Sequence, residues 1–427
     1  MIPHLLRRAA RASAASAFVL ASVGLTTPGH AADAPVPWAP DTAAGTGVRG
    51  ISLTGGGPAL RQLSARPTAP FSMVGLTWAD SRARLDGTAE VRTRDRLTGV
   101  WSAWRALETD VRTPEVGAAA GRSAPRAGTQ PLWTGPSDGV QVRVTARPGA
   151  RAPLPGGLRL ELVDPAVDPA VVPAADGAPP APASGTSGTA APRPAVTPRA
   201  GWGADESLVA DPPRYSAETK AVFVHHTAGS NDYACAESPD IIRAIFLYHV
   251  RSQGWNDIGY QFLVDKCGTV FEGRAGGTDQ PVVGAQTYGF NTDTTGVAVL
   301  GNYNDAVSSP VLRDAIAAVA AWKLGLYGHD AAGTAELTAA ADSGLFEKGQ
   351  KVVLNRISGH RDGYPTECPG DNLYADLPTI RRLAAVAQAG RTPSAAGSVS
   401  AGPAPLPSSP VTGVTRRPRD VSRPGRA

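Results

Sequence analysis

From about Val48 to Val163, apolar and polar positions alternate in short runs such as Ala89-Glu90-Val91-Arg92-Thr93 and Val140-Gln141-Val142-Arg143-Val144. Successive side chains of a strand point to opposite faces, so each run predicts a half-buried β-strand. Gly and Pro punctuate the runs and no helical period intervenes, which predicts an all-β, sandwich-like domain. The pattern changes in the second half. Ala221 to His226, Tyr260 to Asp265 and Gly296 to Leu300 read as strands rich in β-branched or aromatic residues. Ser238-Pro239 has the order of an N-cap and a first-turn proline, and opens a helix with Ile241, Ile242, Ile245, Phe246 and His249 on one stripe. Ser309-Pro310 opens a second helix that runs through Ile316, Val319, Ala320 and Trp322 to about Tyr327, and a third covers about Leu377 to Ala387. Strands alternating with helices predict an α/β fold, a mixed central sheet flanked by helices. Asp330 to Val352 reads as an enlarged loop.

Two stretches lack anything to bury. Residues 166–197 and 388–427 are dominated by Pro, Ala, Gly, Ser and Thr, a composition that cannot offset its own ordering entropy. The first reads as a linker between a β-rich region (48–165) and the α/β region (198–387), and the second as a disordered basic tail. At the start, Arg7, Arg8 and Arg11 precede an apolar stretch from Ala14 to about Leu25 and small residues near Ala31. Basic, apolar and small segments in that order form a secretory signal peptide over residues 1–31, and Arg7-Arg8 also permits the twin-arginine route. The protein is therefore expected outside the cell. No later apolar run of about 18 residues offers a membrane span.

Charge refines this picture. The sequence has 427 residues and a formal net charge of +4. Residues 199–385 hold 22 acidic against 15 basic side chains, while residues 386–427 hold six basic against one acidic. The high isoelectric point thus belongs to the ends rather than to a folded basic face, which argues against nucleic acid as a partner. Loose attraction of the tail, with Arg416, Arg417, Arg419, Arg423 and Arg426, to anionic wall polymers is the functional alternative to a merely solvated end. Trp78, Trp101, Trp104 and Trp133 are expected in the core of the β region, with a carbohydrate-stacking face as the alternative.

Candidate chemistry is confined to the second half. In Val222-Phe223-Val224-His225-His226 the two histidines point to opposite faces, so one of them can face a metal. His360 and Cys368 share a loop in which Gly363 and Pro365 let the chain curl back. His225, His360 and Cys368, with no evident fourth ligand, describe a zinc ion with one coordination position open for chemistry. The chain has three cysteines. Cys235 and Cys267 flank one helix–strand unit and are candidates for a disulfide, which leaves Cys368 as the odd thiol. A catalytic Cys368 with His360 as base is the competing account. It is disfavoured because Pro369-Gly370 argues against a helix beginning immediately there to activate the thiol.

Residues 199–385 resemble the peptidoglycan recognition protein and type 2 N-acetylmuramoyl-L-alanine amidase family, in its actinobacterial exported form. The resemblance rests on Arg199-Ala-Gly-Trp-Gly-Ala204, Val224-His-His-Thr-Ala-Gly229, Gly254-Trp-Asn-Asp-Ile-Gly-Tyr260, Phe271-Glu-Gly-Arg274, Gly284-Ala285, Gly289-Phe290-Asn291, Gly359-His-Arg361 and Thr366-Glu-Cys-Pro369, in family order. It implies Zn2+ on His225, His360 and Cys368 and catalytic roles for Tyr260 and Thr366. Thr366 stands where phage relatives carry Lys, so its role would be a neutral hydrogen bond. The resemblance further implies hydrolysis of the amide between N-acetylmuramic acid and L-alanine of peptidoglycan, with a recognition protein that binds without turnover as the alternative. Gly254, Trp255, Arg274 and His226 become candidate substrate-binding residues. The Gly254-Trp255 and Arg274 pattern is similar to that of members favouring diaminopimelate, whose extra carboxylate a guanidinium can grip. A monomer is expected.

Overall fold

The alternating runs of the first half become strands of a single antiparallel network. In the computed structural model, which describes residues 47–109, 124–150, 152–166 and 191–390, these are β1 (Gly47–Ser52), β2 (Leu60–Trp78), β3 (Gly87–Asp95), β4 (Arg105–Ala106), β5 (Ala127–Gly128), β6 (Leu132–Ala146) and β7 (Arg159–Asp164). Their order is β1-β7-β2-β6-β3-β4, with β5 on β2. Val91 pairs with Val142, so the inward sets of β3 and β6 share one face. Register shifts along β2 at Leu63/Arg66, Pro67/Phe71 and Phe71/Met73 interrupt its ladder with β6. Such irregularities bend a long strand. Phe71, Val74, Leu76, Val140, Val142 and Leu160 fill the resulting core. Trp78 and Trp133 are buried, whereas Trp101 and Trp104 are half-buried. The Arg92 guanidinium lies over both of the latter rings, and Arg143 lies over Trp104. The four tryptophans therefore do not form one exposed face. The expected signal peptide, most of the linker (167–190) and the tail beyond 390 lie outside the described residues.

The second half carries a mixed six-stranded sheet. Its strands are β8 (Val196–Thr197), β9 (Ala221–His226), β10 (Phe262–Val264), β11 (Val270–Glu272), β12 (Thr294–Val299) and β15 (Ile357–Gly359), with β13 (Thr334–Thr338) and β14 (Lys351–Asn355) forming a separate hairpin. The order is β15-β9-β12-β10-β11-β8, parallel except for the β10–β11 hairpin. Parallel strands buried on both faces read as continuous apolar runs, as residues 221–224 of β9 and 297–299 of β12 do, and helices cover them. α1 (Ser238–Leu247) lies on one side. α2 (Pro310–Gly325) and α3 (Asp371–Gln388) pack together on the other, where Ile316, Val319 and Ala320 meet Val224, Val297, Leu373 and Ile380.

Several expectations need correction. Ser238 is the first residue of α1 rather than its cap, and its hydroxyl donates to Asp265 Oδ2 at 2.9 Å. Ser309 does cap α2, accepting from the Leu312 N–H. α3 begins at Asp371, not Leu377, and carries Pro378 inside it. The burial of Leu373, Leu377 and Ile380 against α2 outweighs the hydrogen bond that proline cannot make. Val196–Thr197, assigned to the linker by composition, is the edge strand on β11. The enlarged loop contains the β13–β14 hairpin, whose alternate residues Ala335 and Leu337 pack with Phe223 and Phe290.

The β module is not tethered loosely. Met73, Trp133 and Val163 share one buried cluster with Trp202, Ile241, Ile245 and Tyr248 of the α/β half. The Tyr248 hydroxyl, at the start of a π-helical turn (Tyr248–Ser252) that continues α1, lies within hydrogen-bonding reach of Leu76 O (2.8 Å) and Thr129 O (3.0 Å). Gly75 makes room for that ring, since a Cβ there would lie 2.5 Å from it.

Candidate metal centre

The parallel register of β15 on β9 assembles the centre. Its last pair sets Gly359 opposite Val224, so the next residue of each strand, His360 and His225, emerge side by side with ring centroids 4.5 Å apart. Both stand at strand C-terminal ends, where open α/β sheets bind ligands. The loop after β15 returns through Tyr364, stacked on His360, and brings Cys368 Sγ to 3.7 Å from His225 Nδ1. One ligand atom from each of His225, His360 and Cys368 falls within 4.8 Å of the others. Cys368 is the free, buried cysteine. Cys235 and Cys267 are joined as a disulfide, so their proximity to Asp265 is not a second metal site.

Hydrogen bonds aim the donors. Gln286 Oε1 lies 2.6 Å from His225 Nε2, and the Gln286 amide nitrogen donates to Thr294 Oγ1 at 3.0 Å. With an acceptor on Nε2 the proton lies there, and the Nδ1 lone pair faces Cys368. His360 Nδ1 is buried with no hydrogen-bond partner, an orphan a metal would satisfy. Burial pushes His225 down to about 3, although the bond to Gln286 opposes this, and burial with neighbouring imidazoles holds His360 well below its usual value. Neutral imidazoles and a buried thiol form a donor set suited to zinc.

The other candidates are distributed unevenly. Tyr260 is buried with its ring 5.3 Å from that of His225. The Thr366 hydroxyl accepts the Cys368 N–H at 3.0 Å, which leaves its own proton to donate. His226 is fully buried, and its Nδ1 accepts the Tyr303 N–H at 3.2 Å. Trp255 is also buried, stacked on His249 at 4.3 Å. Gly254 lines a cleft against the β module with Arg126 and Arg159, whereas Arg274 lines a different cleft with Arg214, Asn256 and Asp257. Gly254 and Arg274 thus line different clefts.

Arg199 explains why the segments around Tyr260 and Arg274 stay in place. It is buried, with bonds to Glu206 (2.7 and 3.0 Å) and Asp257 (3.2 Å), and Asp257 accepts the N–H groups of Ile258 and Ala275. Burial opposes its charge, yet Asp257 and Glu206 raise its pKa overall. Two residues escaped the sequence reading. Gln286 follows the Gly284-Ala285 pair but has no metal-ligand spacing, and Glu108 of the β module places its carboxylate 3.2 Å from His226 Nε2. No helix among the described residues is long and apolar enough to cross a membrane.

Comparison with known proteins agrees with this architecture. A family model described as N-acetylmuramoyl-L-alanine amidase matches residues 215–371, and one described as Rv3811 N-terminal galactose-binding domain-like matches residues 26–183. Peptidoglycan-recognition protein SC2 of Drosophila melanogaster is 34% identical over 161 residues, which is 36% of this chain and 71% of that protein. An N-acetylmuramoyl-L-alanine amidase of Homo sapiens is 32% identical over 195 residues, 44% of this chain and 28% of that one. Among solved structures, Drosophila PGRP-LB aligns over 43% of this chain and 93% of its own, with 22% identity and a TM-score of 0.34. The chain belongs to the family of peptidoglycan-recognition proteins and N-acetylmuramoyl-L-alanine amidases.

Proposed function

We propose that the protein is an exported, zinc-dependent N-acetylmuramoyl-L-alanine amidase that cleaves the amide between N-acetylmuramic acid and L-alanine of peptidoglycan. The observation that carries this reading is the convergence of His225, His360 and Cys368, with the orphaned His360 Nδ1 among them. Bound there, a zinc ion would supply a Lewis acid and lower the pKa of its water. The chain's own part is positional. Gln286 orients His225, the His226 N–H donates to Cys368 Sγ at 3.3 Å, and Tyr260 with the Thr366 hydroxyl would donate to the oxyanion of the tetrahedral intermediate. Each such donor is worth roughly 10² to 10³ in rate.

The diaminopimelate type is supported by Arg274 and Arg214, which line one cleft together with Asp211 and Asp257. A guanidinium on that wall would pair with the second carboxylate of the third stem residue. Export is supported by the leader pattern and by the Cys235–Cys267 disulfide, which persists in oxidising compartments. The basic tail would add attraction to anionic wall polymers.

The test is to incubate zinc-loaded protein with diaminopimelate-type and lysine-type peptidoglycan, with and without chelator. New alanine amino termini and new reducing ends are then measured. Chelator-sensitive alanine termini without reducing ends, faster on the diaminopimelate wall, are expected. Binding without either product on both walls would instead make the protein a recognition module.

A further inference from the structure

Glu108 lies just beyond β4, held by main-chain bonds on either side: Leu107 N–H donates to Ala89 O, and Gln130 N–H donates to Glu108 O, both at 2.9 Å. Its backbone is thus fixed to the β module. Its side chain leaves the module and ends at His226, with Oε1 at 3.2 Å and Oε2 at 3.4 Å from Nε2. The Oε2 contact has hydrogen-bond geometry, while Oε1, although closer, lies off that axis and has no hydrogen bond of its own. Because Tyr303 N–H occupies Nδ1, the ring proton of His226 is on Nε2 and aimed at this carboxylate. Both ring nitrogens are engaged and the ring is fully buried. The backbone N–H of the same residue donates to Cys368 Sγ. The chain of contact runs from module to imidazole to main chain to sulfur.

We propose that the β module is a component of the metal centre, and that Glu108 is a positioning residue that fixes His226 and, through its N–H, the Cys368 sulfur. This rests on the reading of Cys368 as a zinc ligand. A cleft of about 420 Å³ fits the same view: Thr88, Glu108 and Thr109 of the module form one wall, and Pro365, Thr366 and Glu367 of the Cys368 loop form the other. The module thus closes the side of the centre on which Thr366 stands. A purely adhesive role for Glu108 makes a different prediction, since adhesion is also supplied by Tyr248 on the α1 side.

The experiment compares full-length wild type, Glu108→Ala, Glu108→Gln and Tyr248→Phe. The His226 Nε2–H signal is followed by ¹⁵N NMR in the zinc-free protein, and zinc affinity by competition with a chromophoric chelator. Glu108→Ala should lose exchange protection of that proton and about tenfold in zinc affinity, the lower end for a partner just outside the ligands. Glu108→Gln, whose amide oxygen accepts the same proton, should restore most of both. Tyr248→Phe should lower stability and leave zinc affinity within twofold. Zinc affinity of Glu108→Ala within twofold of wild type overturns the proposal, and so do equal losses in Glu108→Ala and Tyr248→Phe. Neither readout requires turnover, so a protein that binds peptidoglycan without cleaving it still tests Glu108.

Discussion

The candidate metal centre and the docking face of the β module are both built from residues far apart in sequence, but by different physics. At the centre, the register of two parallel strands sets His225 beside His360, and hydrogen bonds from Gln286 and His226 fix what the backbone brings together. At the docking face, Met73, Trp133 and Val163 bury apolar surface against Trp202, Ile245 and Tyr248, and two glycine-lined gaps admit the Tyr248 ring. Polar contacts of the first kind tolerate almost no substitution, because a buried donor or acceptor left alone costs its full desolvation. Apolar burial of the second kind tolerates exchange of like volumes. Glu108 is where the two kinds of contact meet.

The largest expected effect breaks the centre alone. Cys368→Ser should abolish stoichiometric zinc and reduce release of alanine termini at least about 10³-fold, because a serine hydroxyl is a poor ligand beside two imidazoles. Unfolding should remain cooperative with a nearly unchanged midpoint. Full zinc content in this variant, measured by metal analysis after dialysis, would remove Cys368 from the ligand set. Next in size is Arg199→Met, which leaves Asp257 buried without its cation. The cost should be about 3–5 kcal/mol, read from denaturant unfolding. A loss under about 1 kcal/mol would mean that the Ile258 and Ala275 N–H groups alone hold Asp257.

Two smaller changes set the regions against each other. Gln286→Leu keeps volume but removes the acceptor on His225 Nε2, and should weaken zinc 10- to 100-fold with little change in module docking. Gly75→Val drives a side chain into the Tyr248 ring and should cost about 1–3 kcal/mol. Limited proteolysis should then cut between module and α/β half faster than in wild type. If Gly75→Val weakened zinc as much as Gln286→Leu, the two regions would be a single unit rather than two joined through Glu108.

How much of this could be read beforehand follows the same division. Strand alternation allowed one of His225 and His226 to face a metal and the family motif chose His225, while Cys368 stood out as the cysteine left over once Cys235 and Cys267 pair. Their partners were not. Gln286 sits in a segment whose only local signal is its glycine, and its role depends on β12, which places Thr294 under its amide. Glu108 is an ordinary acidic residue two positions after a two-residue strand, and nothing along the chain connects it to a histidine more than a hundred residues away. Met73, Trp133 and Val163 alternate like any inward-facing strand residues. Periodicity reports that such a face is covered, not by what, so the docking face was invisible. The linker composition also concealed Val196–Thr197, because a two-residue edge strand needs only its partner β11 and no pattern of its own.

Lys323 supplies the last test, at a point remote from both regions. It lies in α2, almost fully buried, with Nζ donating to Thr278 O at 2.9 Å and Gln280 O at 2.8 Å. Burial pushes its pKa down to about 7; Asp279 opposes this and Arg193 adds to it. In the unfolded chain the group keeps its ordinary value of 10.5. Between those two values the unfolded state binds more protons than the folded one, so this group's contribution to stability rises with pH through that window. Below about 7 both states are charged and the penalty of burying the ammonium is felt in full. Lys323→Met removes the charge at similar length but abandons two carbonyls. The unfolding free energy of the variant relative to wild type should therefore fall steadily from pH 7 to 9.5, with a slope of at most about 1.4 kcal/mol per pH unit for one proton. Denaturant titrations of both proteins at half-unit intervals measure it, and parallel curves would show that Lys323 keeps its proton through the two carbonyl bonds.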